Sequence, residues 1–154
     1  MSQTEQLTTF YVNNELFGIQ VHKVQEVTNK PIVFKVPLSP PFVKGLINLR
    51  GQIATALGLR VIFANQDIES ESEMSVVCKI DGNLISLIVD KIGDVVEVDK
   101  EQFELPPDTL QANIRNYIKG IYKLNGQLLS ILDLDMLAKE LSPNNDSSNG
   151  RNIQ

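Results

Sequence analysis

The chain is poor in the residues that most enzyme sites require, with one cysteine, one histidine and no tryptophan in 154 residues. Cys78 has no partner for a disulfide within the chain, and its apolar neighbours Val76, Val77 and Ile80 predict a buried, unreactive thiol. His22 has no second histidine with which to form a triad or a metal site. The Walker loop, G-x-S-x-G, HExxH and paired-cysteine motifs are absent from the sequence as well. We therefore expect no catalytic residues, no metal site and no cofactor.

Positive charge and long apolar runs are also scarce. Fourteen Lys and Arg residues stand against nineteen Asp and Glu, the formal net charge is −5, and aromatic residues make up 6%. A protein that follows a nucleic acid backbone needs clustered basic residues and exposed aromatic ones. No apolar run is as long as a membrane span, and the segment Met1–Gln6 is polar, unlike a signal peptide. These features predict a cytoplasmic protein that neither inserts into a membrane nor binds nucleic acid.

A duplicated segment is the most informative feature that the sequence does contain. The stretch Gly45–Phe63, GLINLRGQIATALGLRVIF, recurs at a sequence offset of 75 as Gly120–Ala138, GIYKLNGQLLSILDLDMLA. Both copies share two glycines, a Gly-Gln pair and a leucine ladder in one register. Each copy predicts a strand, a tight turn, a second strand and a short helix.

Two predicted hairpins precede these copies and match each other at a different offset. The stretch from Leu16 to Val27 recurs at an offset of 68, from Leu84 to Val95. The turns are Asn13-Asn14 in the first hairpin and Asp81-Gly82 in the second, and both pairs suit tight turns. The offsets of 68 and 75 differ by seven, which predicts an insertion within 99–117.

The chain therefore divides into two collinear units, 8–64 and 74–141, joined by the acidic linker 65–73. We expect loose tails at 1–7 and 142–154, β character at Pro31–Val36, and one short helical turn from Ser39 to Gly45. Val21, Val24 and Val27 recur at a three-residue spacing, which favours a helical turn or bend there. Asp133 is well placed to cap the last helix, which explains Asp133 and Asp135 more simply than a catalytic pair does.

The predicted architecture is all-β with short helices, and each unit has about five strands, as is usual for small barrels. A unit of about sixty residues buries little surface and would be marginal alone, so the two units should share a core. Closed barrels fit this pattern better than a sandwich because closure removes strand edges. One unit could also lend a strand to the other, and the sequence leaves this open.

The turn Asn48-Leu49-Arg50-Gly51 contains a residue that turn geometry does not require. Gly51 and its counterpart Gly126 can adopt positive φ at little cost. The residue before Gly126 is Asn125, a usual turn residue, whereas the residue before Gly51 is Arg50. Arginine is a donor fork suited to carboxylates, and Glu26 is a possible partner; a solvated turn arginine is the alternative.

Four motifs, taken together, resemble the family of CheW, the bacterial chemotaxis adaptor. They are Phe17-Gly18-Ile19, Lys23-Val24-Gln25-Glu26-Val27, Pro41-Phe42-Val43-Lys44-Gly45 and Asn48-Leu49-Arg50-Gly51. The resemblance covers roughly residues 8–141, and FVKGLINLRG (42–51) is its most specific part. It implies two packed SH3-like five-stranded β-barrels with no catalytic activity. The chain departs from the family pattern at one stretch, Thr55-Ala56-Leu57-Gly58-Leu59-Arg60. This stretch lacks the proline and the aspartate that are usual in the family.

The resemblance also implies partners and site residues. A protein of this family couples the signalling tips of methyl-accepting chemoreceptors to the regulatory domain of the histidine kinase CheA, in arrays at the inner membrane. Val24 and Gly45 match the receptor-facing positions, and Glu26, Arg50 and Gly51 match a surface pair and its turn. We expect Val24 and Gly45 to be at least partly exposed beside a shallow apolar groove between the units.

Three alternative functions are open from the sequence. A paralogue that serves pilus motility or another chemosensory pathway would carry the same motifs. A small-barrel nucleic-acid-binding protein is the alternative from a different class, although the net charge counts against it. An enzyme is a third and weaker class, for which the sequence offers no residues.

Overall fold

The computed structural model describes residues 3–141, except for the side chain of Asn113. Over this range the chain forms mainly antiparallel β-structure with short helices. The strands are β1 (Thr4–Val12), β2 (Glu15–Gln20), β3 (Val24–Asn29), β4 (Val43–Leu49), β5 (Gln52–Gly58), β6 (Met74–Ile80), β7 (Asn83–Val89), β8 (Lys91–Asp99), β9 (Ile118–Leu124) and β10 (Gln127–Leu132). The α-helices are α1 (Leu59–Ala64), α2 (Ala112–Arg115) and α3 (Leu134–Glu140), and 3-10 turns cover Val21–Lys23 and Lys100–Gln102.

The strands form two SH3-like five-stranded barrels that exchange strands between the halves of the chain. The first barrel has the order β8-β1-β2-β10-β9, and the second has the order β3-β6-β7-β5-β4. Each barrel therefore draws strands from both halves, so neither 8–64 nor 74–141 corresponds to one sheet. In each barrel the two halves of the chain meet at one antiparallel pair, β8 with β1 or β3 with β6. They also meet at one parallel pair, with Leu16 of β2 opposite Leu129 of β10 or Leu84 of β7 opposite Ala54 of β5. The strand exchange that the sequence left open is present, and it is reciprocal.

The duplication found in the sequence matches the element boundaries. Strands β4 and β5 and helix α1 correspond, at an offset of 75, to β9, β10 and α3. Strands β1, β2 and β3 correspond, at 68, to β6, β7 and β8. Under this mapping the strand order of one barrel becomes the strand order of the other. The two barrels are thus structural repeats of each other.

The main hydrophobic core lies between the barrels, as the small size of each unit predicts. It contains buried side chains from both sheets and from α1 and α3, and it is made of Phe10, Val12, Phe17, Ile19, Leu57, Leu59, Val76, Cys78, Ile80, Ile85, Leu87, Val89, Ile118, Leu132, Leu134 and Leu137. A smaller core fills each barrel, around Leu7, Leu129 and Tyr122 in the first and around Ile47, Ala54 and Ile88 in the second. The barrels therefore share the larger part of their buried apolar surface.

Several local predictions need correction. Strand β1 begins at Thr4 and Leu7 is fully buried, so residues 4–7 belong to the sheet rather than to a loose tail. The predicted tail at 142–154 lies outside the described residues. The β character expected at Pro31–Val36 is reduced to one bridge, between Phe34 and Leu46. The helical turn expected to end at Gly45 is absent from this described segment, because β4 already begins at Val43.

The cap of the last helix is where the sequence placed it. The Met136 N–H donates to Asp133 Oδ1 at 3.1 Å, and α3 runs from Leu134 to Glu140. At the start of α1, Gly58 offers no side-chain cap. The bend predicted from the spacing of Val21 and Val24 is the 3-10 turn Val21–Lys23.

Candidate protein-binding surface

Glu26 and Arg50 meet on the rim of the second barrel. Glu26 lies on β3 and Arg50 in the turn between β4 and β5, and β3 and β4 are the opposite edges of that sheet. Arg50 Nη2 donates to Glu26 Oε2 at 2.5 Å, with the arginine side chain 72% exposed and the glutamate 22%. The structure therefore brings the two charged groups together, as the sequence predicted. The pair bridges the two edges of the sheet.

The turn that carries Arg50 is held in an unusual backbone conformation. Gly51 has φ +91°, and its N–H donates to Asn48 Oδ1 at 2.9 Å. Arg50 itself has φ +51°, a region that side chains other than Gly, Asn and Asp seldom adopt. Asn125, its counterpart in the first barrel, is not among the residues with positive φ. Arg50 thus occupies a position that glycine would fill with less backbone strain.

The carboxylate of Glu26 depends on this arginine. Among the described residues, Glu26 Oε1 is shielded from solvent and accepts no hydrogen bond. The other oxygen, Oε2, accepts from Arg50. Because a shielded carboxylate oxygen without a donor is unfavourable, the hydrogen bond from Arg50 to Oε2 offsets part of the cost of burying the Glu26 carboxylate.

The two valines of β3, Val24 and Val27, differ from each other in exposure. Val24 is half-buried and packs against the core between the barrels, in keeping with partial exposure. Val27 is the residue that turns outward, with 40% of its surface exposed. The bulge between Val24 and Glu26 changes the pairing register of β3 on β6, which the sequence pattern did not reveal.

The expectation that Gly45 is exposed is wrong. Gly45 is buried in β4 with φ +145°, and a Cβ placed on it would overlap the carbonyl oxygen of Phe34. Its counterpart Gly120 is also buried, and a Cβ there would overlap the Phe103 ring. The glycine is therefore required for the close approach of Val33 and Phe34 to β4. Any effect of a side chain at position 45 on a partner would act through the fold.

Sequence reasoning missed a second charged contact at the junction of the barrels. Arg60, on α1, donates from Nε and Nη2 to the two carboxylate oxygens of Asp90 at 3.1 and 2.8 Å. Arg60 also donates to Gln66, and Asp90 accepts from the Asn13 N–H at 2.7 Å. Arg60 stands at the end of the stretch that departs from the family pattern. The only signal available from sequence was that departure, since its partner lies in the other half of the chain.

The described residues offer little for catalysis or metal binding. No group of three or more His, Cys, Asp or Glu side chains that could hold a metal ion occurs among them. His22 is exposed on its 3-10 turn, and Cys78 is fully buried. Burial raises the pKa of the Cys78 thiol to about 12, so the nucleophilic thiolate is scarce at neutral pH. No helix in the described part of the chain is long and apolar enough to cross a membrane.

The sequence of this chain is similar to those of known proteins over most of its length. The CheW-like domain family matches the sequence over residues 6–142, nearly the whole chain. The chain belongs to the CheW-like domain family. It is 30% identical over 134 residues to the chemotaxis protein CheW of Klebsiella aerogenes, covering 86% of this chain and 81% of that one. It is also 30% identical over 143 residues to CheW of Treponema pallidum, covering 88% and 84%.

A solved structure gives the same fold. The scaffolding protein TtCheW from Thermoanaerobacter tengcongensis superposes with a TM-score of 0.77 at 28% identity, covering 86% of each chain. The two-barrel architecture is therefore the CheW fold. CheW proteins form a family of chemotaxis scaffolds and adaptors rather than a family of enzymes, which agrees with the lack of catalytic motifs in the sequence.

Proposed function

We propose that this CheW-like protein couples methyl-accepting chemoreceptors to a CheA-type histidine kinase within signalling arrays at the inner membrane. The observation that carries the proposal is the family match over residues 6–142, together with the two-barrel fold. An adaptor needs surfaces rather than a reactive centre. The rim around β3 and the Arg50 turn supplies an exposed cation beside half-buried apolar side chains.

The receptor contact is proposed at this rim. Receptor tips of this kind are helical hairpins, and a helix binds through a stripe of apolar side chains with charged residues at its edge. Val24 and Val27 lie three residues apart on β3, and Arg50 is bound to Glu26 on the same strand. Gly45 contributes by positioning β4 against Val33 and Phe34, without contacting the partner.

The test is assembly of a ternary complex from the full chain, receptor signalling-tip fragments and CheA regulatory domains of the same organism. Val27→Asp should weaken receptor retention because it places a charge at the apolar centre of the rim. Val95→Asp is the matched control, since Val95 is the counterpart of Val27 at an offset of 68 and is 60% exposed on β8. Equal loss from both variants would contradict the location of the receptor surface. Failure of the unmodified chain to bind either partner would contradict the function itself.

The same experiment addresses the pathway. Kinases and receptors from a pilus-motility or other chemosensory system can be offered alongside the chemotaxis proteins. Selective retention of the pilus-pathway partners would assign the chain to that pathway and leave the adaptor mechanism unchanged.

A further inference from the structure

Three acidic residues of the linker 65–73 line one side of a lysine-lined cleft in the second barrel, here called the second cleft. The cleft has a volume of about 520 Å³ and includes Val33, Val43 and Ile88 among its apolar lining residues. Lys44 pairs with Asp67, and Lys30 Nζ lies 3.9 Å from both Glu69 and Glu73. The chain thus pairs the lysines of this cleft with carboxylates of its own acidic segment.

The first barrel has a counterpart of this cleft, here called the first cleft. It has a volume of about 290 Å³, an apolar floor that includes Ile19, Tyr122 and Leu134, and a rim of Lys23, Lys100 and Lys119. The offset of 75 pairs Lys119 with Lys44. The Lys100–Glu5 contact of 3.8 Å resembles the Lys30–Glu73 contact, because Glu5 and Glu73 correspond at 68. Both clefts are therefore built from the same repeated elements.

Two of the carboxylates that line the second cleft have no acidic counterpart at the corresponding positions in the second half of the sequence. At the offset of 75, Asp67 and Glu69 correspond to Ser142 and Asn144. Within residues 3–141, neither Lys23 nor Lys119 takes part in an ion pair. Among residues 3–141, the first cleft therefore has a lysine rim like that of the second, with Glu5 as its one lining carboxylate.

From this pairing we propose that the first cleft binds an acidic peptide segment of a partner protein. The peptide would lie along the first cleft as the linker 65–73 lies along the second, with a carboxylate on Lys119 as Asp67 is on Lys44. A second carboxylate would meet Lys23. Phe103, which is 38% exposed and stacks edge-on against Tyr122 at 5.5 Å, forms an apolar side of the cleft. Charge complementarity favours such an anion because the rim carries three lysines against one glutamate.

The probe is a synthetic peptide with this chain's own sequence 66–73, QDIESESE, titrated into the full-length protein and followed by NMR. We expect saturable, salt-sensitive binding with shifts concentrated at Phe103, Tyr122 and Lys119. Lys119→Glu should weaken binding by about tenfold or more, since it reverses the central charge of the rim. Lys119 is exposed, so the variant should fold normally. Lys79→Glu is the matched control, because Lys79 is exposed on β6 and lines neither cleft.

Four outcomes would overturn the proposal. The first is no binding at peptide concentrations up to about 1 mM, which would leave an affinity too weak for recognition. The second is equal binding of a peptide in which Asn and Gln replace the acids. The third is equal weakening by Lys119→Glu and Lys79→Glu, which would indicate attraction to charge in general. The fourth is a set of shifts confined to Val33, Val43 and Lys44, which would show exchange with the linker in the second cleft.

Discussion

Replacing Arg50 with glycine separates the backbone strain of the turn from the function of the side chain. The substitution removes the contact with Glu26 and leaves the turn to a residue that accepts positive φ. Arg50 has φ +51°, and its side chain is 72% exposed. We expect Arg50→Gly to change stability little and to weaken association with receptor or kinase.

The effects of Arg50→Gly on the free energy of unfolding oppose each other. Relief of the left-handed conformation contributes about 1–2 kcal/mol, and the greater freedom of glycine in the unfolded chain costs about 0.5–1 kcal/mol. Loss of the exposed ion pair costs about 0–1 kcal/mol, toward the upper end because Glu26 is only 22% exposed. The net change should lie within about 1 kcal/mol, a melting shift of no more than about 4 °C for a chain of this size.

The assay pairs thermal unfolding with formation of the ternary complex. Asn125→Gly, in the equivalent turn of the first barrel, is the control for a glycine at that position. Glu26→Gln should reproduce part of the binding loss, because it frees Arg50 from its partner. The reasoning would be refuted if Arg50→Gly lost more than about 3 kcal/mol while binding was intact, since the pair would then hold the sheet edges together.

Three further predictions concern the core and the clefts. Gly45→Ala should lower the free energy of unfolding in urea by more than about 3 kcal/mol, because its Cβ would overlap the Phe34 carbonyl. Gly51→Ala should lower it by about 1–2 kcal/mol, because Gly51 has positive φ but no neighbour within 4 Å of a Cβ. Similar losses from the two variants would contradict the overlap at Gly45. Burial raises the pKa of Glu73, so its protonated form is favoured in the folded state. The contribution of Glu73 to stability is therefore lost as the pH rises from its pKa in the unfolded chain through its raised pKa in the folded chain. Relative to Glu73→Gln, the unmodified chain should therefore lose stability in urea titrations as the pH rises above the usual pKa range of a glutamate carboxyl, and an opposite slope would contradict this. Cys78, whose thiol pKa is raised to about 12 by burial, should react with iodoacetamide only at the rate of protein opening, so rapid labelling of the folded protein would show an access path.

The fold could be predicted from the sequence because its signals are local and occur twice. A Gly-Gln turn between alternating apolar residues specifies a hairpin, and the second copy gives an independent check on the register. The cap at Asp133 is equally local. The 3-10 turn at Val21–Lys23 followed from one break in the alternation. The Glu26–Arg50 contact needed the family resemblance as well, since spacing alone left a solvated arginine equally acceptable.

The incorrect predictions concern residues whose contacts come from segments that are distant in the sequence. A glycine in the sequence signals freedom of the backbone, but the burial of Gly45 depends on the Phe34 carbonyl that lies above it. Residues 4–7 pair with β8, which lies in the other half of the chain, and their polar composition gave no indication of this. Arg60 and Asp90 likewise meet only after the barrels have exchanged strands.

The reciprocal exchange of strands has a consequence for how the chain is made and how it fails. During synthesis, β1 and β2 emerge first, but their sheet stays incomplete until β8, β9 and β10 have followed. Long-range pairings of this kind slow folding and leave unpaired edges exposed in the meantime. Once folded, neither barrel can open without withdrawing strands that belong to the other half of the chain. A substitution that destabilises one barrel should therefore destabilise the other, and the protein should unfold as one cooperative unit.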